Sequence, residues 1–149
     1  MVTRRDLLVA AIAILGTAGA FAIADQGPVI GSAAFDWNSS PVTATDVGSV
    51  RSFFKARTPT VEELEVHETA LDPGKSPHAP HRNPNEEMII IRQGTVAVLI
   101  DGDWKRVGPG SVVFFASNHL HGLKNVGNDQ AIYHVINWKT AATPPAMTP

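Results

Sequence analysis

From Val50 onward, short runs rich in β-branched and aromatic residues alternate with Gly, Pro, Asn and Asp. Arg51–Lys55, Leu64–Leu71, Glu87–Arg92, Thr95–Ile100, Trp104–Val107, Ser111–Phe115, Leu120–Asn125 and Ala131–Trp138 read as strands, because apolar and polar positions alternate within them. Asp101-Gly102 sits between two of these runs and reads as a tight hairpin turn, since glycine tolerates positive φ. Thr58 to Glu63 reads as a helical turn, with Thr60 as its N-cap and Glu63 three residues on. Short strands this dense, on the order of eight in ninety residues, predict an all-β fold: a small closed antiparallel barrel or jelly roll. A barrel of that size encloses one small ligand or a metal site.

The flanks follow different rules. Arg4-Arg5 precedes an apolar, Ala-rich run from Leu7 to Ala24, which ends in Ala22-Ile23-Ala24 before Asp25. Residues 1–24 therefore read as a helical export signal of twin-arginine type, placing the mature chain in the periplasm or outside the cell. Left uncleaved, the same run is long enough to anchor the protein in a membrane. Residues 25–48 are rich in Gly, Ser, Pro and Thr around Phe35 and Trp37, and read as an arm docking on the barrel of residues 49–139. Residues 140–149 read as a flexible tail.

Composition narrows the chemistry. The 149 residues suffice for one domain with a real core. A net charge of −2 gives no reason to expect nucleic acid or an anionic membrane as partner. Cysteine is absent, which excludes disulfides and thiolate ligands and leaves nitrogen and oxygen donors. There is no phosphate-cradling glycine loop and no serine at a strand-to-helix elbow.

Four of the six histidines fall in two stretches, Gly74–Gly94 and Pro109–Asn125, both at strand ends. With side chains alternating along an extended chain, His81, Asn83 and Glu87 share one face, continued by Ile89 and Ile91, while Glu86 falls on the other. His119 and His121 likewise share a face. Imidazoles and a carboxylate converging in a small β fold are the ingredients of a divalent-metal site. His78, between Pro77 and Pro80, is held in a stiff loop at the mouth of the pocket, and Tyr133 is a further candidate for its lining, as is Trp138. His67 and His134 read as hydrogen-bonded barrel histidines, and Asn125 as the residue that fixes a turn after its strand.

These two stretches resemble the paired motifs of the cupin superfamily. Glu87 lies seven positions before Gly94, as in the first motif, and His81-x-Asn83-x-x-x-Glu87 follows its His-x-His-x-x-x-Glu pattern with Asn83 in place of the second histidine. Pro109-Gly110 and His121-x-x-x-Asn125 follow the second motif, although the usual proline before the histidine has no counterpart in Phe115-Ala116-Ser117. The resemblance spans about residues 60 to 138. It implies a jelly-roll barrel with His81, Glu87 and His121 as metal ligands and the amide oxygen of Asn83 as a weak fourth. Two histidines and a carboxylate are the minimum set that leaves open positions on a transition metal.

The implied function is that of an exported single-domain cupin holding Fe, Mn, Ni, Cu or Zn and acting on or binding a small organic molecule, by an oxygenase, isomerase or lyase type of reaction. In that reading His78, His119 and Tyr133 meet the substrate. The alternative is a metal-independent sugar- or small-molecule-binding module, which Asn83 favours because amides hydrogen-bond to hydroxyls. Cupin-like barrels also pair through their sheets, so a homodimer using the N-terminal arm is expected.

Overall fold

The computed structural model describes residues 28–147; the export signal read at residues 1–24 lies outside them. Nine strands follow in order: β1 (Val42–Thr45), β2 (Gly48–Ala56), β3 (Glu63–Leu71), β4 (Glu86–Gln93), β5 (Val96–Ile100), β6 (Asp103–Val107), β7 (Val112–Phe115), β8 (Gly122–Asn125) and β9 (Ala131–Lys139). They form a six-stranded sheet in the order β1-β2-β3-β9-β4-β7 and a three-stranded sheet in the order β6-β5-β8. Every ladder between strands is antiparallel.

Alternation decides which side of the large sheet is core. Ile89 and Ile91 of β4, Val113 and Phe115 of β7, and Ala131, Tyr133 and Val135 of β9 are buried and meet Val96, Val98 and Leu123 of the small sheet. Residues of the opposite parity, Ile90, Val112 and Phe114, are exposed. Each fully buried aliphatic such as Leu71 or Ile91 stabilises this sandwich by roughly 1.5–3 kcal/mol relative to leaving it in water.

Two turns hold special backbone. Asp101 and Gly102, at φ 53° and 86°, make the hairpin between β5 and β6 with the twist the strands need. Gly94 closes β4 at φ 81°, and a Cβ there would stand 2.8 Å from the Ala131 Cα. Both the conformation and the close approach require glycine.

Residues 58–63 do not form a helical turn. The Thr58 hydroxyl accepts from the amides of Thr60 and Val61, making a bend, and Glu63 is already paired with Lys139 in β3. The ladder to β9 gives Glu63 a backbone partner outside the segment, which one isolated turn cannot match. Upstream, residues 42–45 of the predicted arm are the edge strand β1, paired to β2. The preceding residues are pinned by Trp37, whose ring lies under the Arg51 guanidinium at 3.8 Å and whose Nε1 donates to Glu68 at 3.0 Å. Glu68 is 5 % exposed, and Arg92 donates to its other oxygen at 2.7 Å. Residues 145–147 return to the barrel, where the Asn118 side chain donates to the Pro145 carbonyl and accepts from the Met147 amide.

Candidate functional site

The two histidine stretches meet in space. His81 and His121 exchange backbone hydrogen bonds in both directions at 3.0 Å, an isolated antiparallel bridge that joins the loop before β4 to the start of β8. Their rings lie 4.6 Å apart, and His78 stands edge-on to His81 at 4.2 Å. Phe115 stacks on His121 at 4.5 Å and flattens that wall. Gly122 allows the contact, because a Cβ there would come within 3.2 Å of the Pro80 ring.

His121 is 3 % exposed and faces a cavity of about 310 Å³ between the two sheets. Its Nδ1 lies 2.8 Å from the His119 carbonyl, which can only accept, so the proton sits on Nδ1. That leaves Nε2 as a bare acceptor, buried and without a partner. The cavity is lined by Glu87 and Ile89 from β4, His67 and Thr69 from β3, and Tyr133 and Val135 from β9, with Val50, Phe115 and Leu123 adding apolar wall. Thr45, Val47, Pro77 and His78 form its rim.

Strand register explains the polar end of this cavity. Asn137 pairs with Glu65 on one side and Glu87 on the other, so the three side chains form one inward row across β3, β9 and β4. Asn137 Nδ2 donates weakly to Glu87 at 3.4 Å while its Oδ1 accepts from Asn85. Burial pushes the Glu87 carboxyl above its ordinary range, an effect the neighbouring His121, His78 and Asn137 oppose and Glu65 reinforces. Two inward rows further along, Thr69 faces Tyr133, where burial raises the phenol strongly and Thr69 opposes the rise.

Each residue predicted from sequence has a definite place. Glu87, His121, His78 and Tyr133 line or rim the cavity. His81, beside His121, and Asn83, whose carbonyl accepts from the Asn118 amide, are outside the lining; His81 Nδ1 and Asn83 Oδ1 are both buried without a partner. Burial, helped by His78 and His121, holds the His81 imidazole below its ordinary range. His119 is exposed and borders a separate, shallower hollow with Leu99, Phe114 and Leu120. Strand alternation does not reach it, because Asn118 at φ 58° turns the chain and β8 begins only at Gly122. Trp138 points to the outer face, where its Nε1 donates to Glu86.

His67 was the residue least visible in the sequence. It lines the cavity, and its Nδ1 lies 3.2 Å from Glu65 Oε1, close enough for attraction though off the line of a hydrogen bond. Its parity with Leu71 places it inward, but Leu64, Val66 and Ala70 make the other parity the more apolar face. His134, by contrast, is on the outside, stacked on Phe53 and 3.6 Å from Glu68.

A divalent cation needs nitrogen and oxygen donors converging on a single point. Bare imidazole nitrogens on His81 and His121 and the free Asn83 oxygen are the right chemistry for one. Their arrangement does not complete a centre: among the described residues no three His, Asp or Glu side chains form a group that could hold a metal ion.

Comparison with known proteins supports the architecture. No curated protein sequence matches the chain. Among solved structures, KdgF from a Halomonas species superposes with a TM-score of 0.60 at 17 % identity, covering 74 % of this chain and 97 % of its own. A cupin-superfamily sugar phosphate isomerase from Silicibacter pomeroyi gives 0.60 at 16 % identity, covering 72 % and 76 % respectively. The polyketide cyclase RemF from Streptomyces resistomycificus gives 0.58 at 16 % identity, covering 77 % and 83 %. The family model described as Cupin domain matches residues 67–137, from His67 to Asn137. Residues 67–137 are thus similar to the Cupin domain model, and the two sheets share the fold of these solved structures.

Proposed function

We propose that this domain binds a small organic molecule in the cavity between its two sheets. The observation that carries the reading is the cavity itself, about 310 Å³, walled by Val50, Ile89, Phe115, Leu123 and Val135, with His67, Thr69, Glu87, His121 and Tyr133 as its polar groups. Mostly apolar walls with a few convergent polar atoms are the usual make-up of a small-molecule site, and this volume is at the small end of the range. That a sugar phosphate isomerase and a polyketide cyclase share the fold supports a small-molecule ligand. A thermal-shift screen of small organic compounds in EDTA tests it. A compound at a hundred times its Kd stabilises the fold by about 2.7 kcal/mol. Val50→Phe, which fills the cavity from β2, removes that gain. A screen without hits, or hits indifferent to Val50→Phe, would overturn the reading.

A second reading has its own support in the unpartnered nitrogens of His81 and His121 and the unpartnered oxygen of Asn83. In it, His81, His121 and Glu87 hold a divalent cation weakly, with Asn83 as an oxygen donor, after a local rearrangement. A bound metal would supply Lewis acidity toward a substrate oxygen. Its test is the melting temperature with Mn, Fe(II), Ni, Cu or Zn added after EDTA treatment. A rise that Asn83→His enlarges supports the reading. No rise in either protein overturns it.

A further inference from the structure

The cavity's polar atoms specify a kind of ligand. Its lining contains Glu87 and three imidazoles but no lysine or arginine. The cations of the six-stranded sheet are engaged elsewhere: Lys55 pairs with Glu63 and Glu65, Lys139 with Glu63, Arg92 with Glu68, and Arg51 with the carbonyls of Trp37 and Ser40. Arg82 donates to the Asn118 carbonyl. An anionic ligand would therefore bring its charge beside Glu87 with no fixed cation to receive it.

The imidazoles add direction to this. The His119 carbonyl holds the proton of His121 on Nδ1, so the partnerless Nε2 is an acceptor. Glu65 Oε1, 3.2 Å from His67 Nδ1, favours the same tautomer there, and His67 Nε2 becomes the second acceptor. Burial holds the His67 ring below its ordinary range, against the pull of Glu65, which keeps it neutral at pH 7. Tyr133, the phenol of the lining, stands opposite Thr69 on β3. The imidazoles of the cavity thus present acceptors that lack donors. A carboxylate or phosphate brings only further acceptors; a hydroxyl brings the missing hydrogen.

We propose that the cavity selects an uncharged, hydroxyl-bearing ring compound, and that the Glu65–His67 pair of β3 is a specificity element that, with His121, receives its hydroxyl hydrogens. This rests on the cavity being a small-molecule site, and names the ligand class. Phe115, stacked on His121, and the aliphatic wall accept the ring. His67 is the binding residue, and Glu65 is a positioning residue that sets its tautomer.

An isosteric panel tests the proposal in EDTA by titration calorimetry: 4-methylphenol, its methyl ether, 4-methylbenzoate and 4-methylphenyl phosphate. The expected result is that the phenol binds at least about tenfold more tightly than the other three, the effect of one well-made hydrogen bond in a dry site. His67→Phe should weaken the phenol more than the ether and so shrink that preference severalfold, and Glu65→Gln should weaken it with a shift of the His67 ring resonances to the other tautomer. Equal or tighter binding of the benzoate or phosphate would overturn the proposal and leave the small-molecule reading standing. Binding by none of the four, with no hit in the wider screen, would overturn both. The comparison among ligands is made on the unmodified protein, so it stands even if a variant folds poorly.

Discussion

Asn125 should be among the costliest single residues to remove from this domain. Its side chain is 0 % exposed and ties three segments together. Nδ2 donates to the Leu71 carbonyl at the end of β3 at 2.8 Å and to the Asp129 carbonyl at 2.9 Å, while Oδ1 accepts from the Gly127 amide at 2.9 Å. Its backbone also binds Gly74 and Lys75, which lead to the cavity rim at Pro77 and His78. Asn125→Ala strands one deeply buried carbonyl and two groups in the turn after β8. A buried group left unpaired costs about 1–3 kcal/mol, and the turn groups recover part of theirs from water, so the total is about 3 kcal/mol. For a domain of this size that corresponds to a fall in melting temperature of roughly 10 °C. Asn125→Asp separates hydrogen bonding from shape. It keeps the acceptor for Gly127 but loses both donors and sets a carboxylate against two carbonyl oxygens. At pH 7 it should be less stable than the alanine variant, recovering as acid protonates the new group. Urea unfolding followed by circular dichroism measures both. A loss below about 1 kcal/mol for Asn125→Ala, or Asp more stable than Ala at neutral pH, would refute the reasoning.

Other expectations follow from the same coordinates. Gly94→Ala should cost roughly 2–4 kcal/mol by chemical denaturation, because a left-handed φ is joined by a clash with Ala131, whereas Gly74→Ala, equally left-handed but in open space, should cost only about 1 kcal/mol. Trp37→Ala should destabilise by about 1–3 kcal/mol, since the buried Glu68 loses a donor and Arg51 its aromatic face; Trp37→Phe, keeping the ring, should recover part of this. His67 sets a pH dependence whose sign is fixed by burial. Its native value lies below the ordinary 6.5, so as pH falls through 6.5 the unfolded chain takes up the proton first and stability declines down to the native value. His67→Phe should flatten that decline, measured as melting temperature between pH 7 and pH 5.

What was legible in the sequence depended on how strongly each residue's neighbours constrained it. β4 and β9 declare themselves because one parity is apolar and buried, and the β5–β6 hairpin because Asp-Gly suits its turn. β1 was hidden in the arm since Val42 to Thr45 are all exposed on a sheet edge and show no alternation of burial. The capping signal at Thr60 and Glu63 had no helix to cap: the Thr58 hydroxyl takes the amides of the bend, and β9 offered Glu63 a ladder partner from far along the chain. The histidine motifs placed Glu87 and His121 at the cavity, yet no local pattern distinguishes His119, displaced by the turn at Asn118, from His121 two positions on. The Glu65–His67 pair escaped for a related reason: its parity on β3 is polar at Glu63, Glu65, His67 and Thr69, so the opposite face with Leu64, Val66 and Ala70 looks like the core.

The claim that the barrel takes a hydroxyl-bearing ligand against two imidazole acceptors, without metal, is tested most directly by the ring nitrogens themselves. Long-range proton–nitrogen NMR spectra of histidine-labelled protein in EDTA should show His67 and His121 as neutral rings carrying their protons on Nδ1. Saturating 4-methylphenol should move the Nε2 resonances of both and leave that of the outward-facing His134 in place. Unmoved Nε2 resonances at saturation, or movement that begins only when a divalent cation is added, would contradict the account.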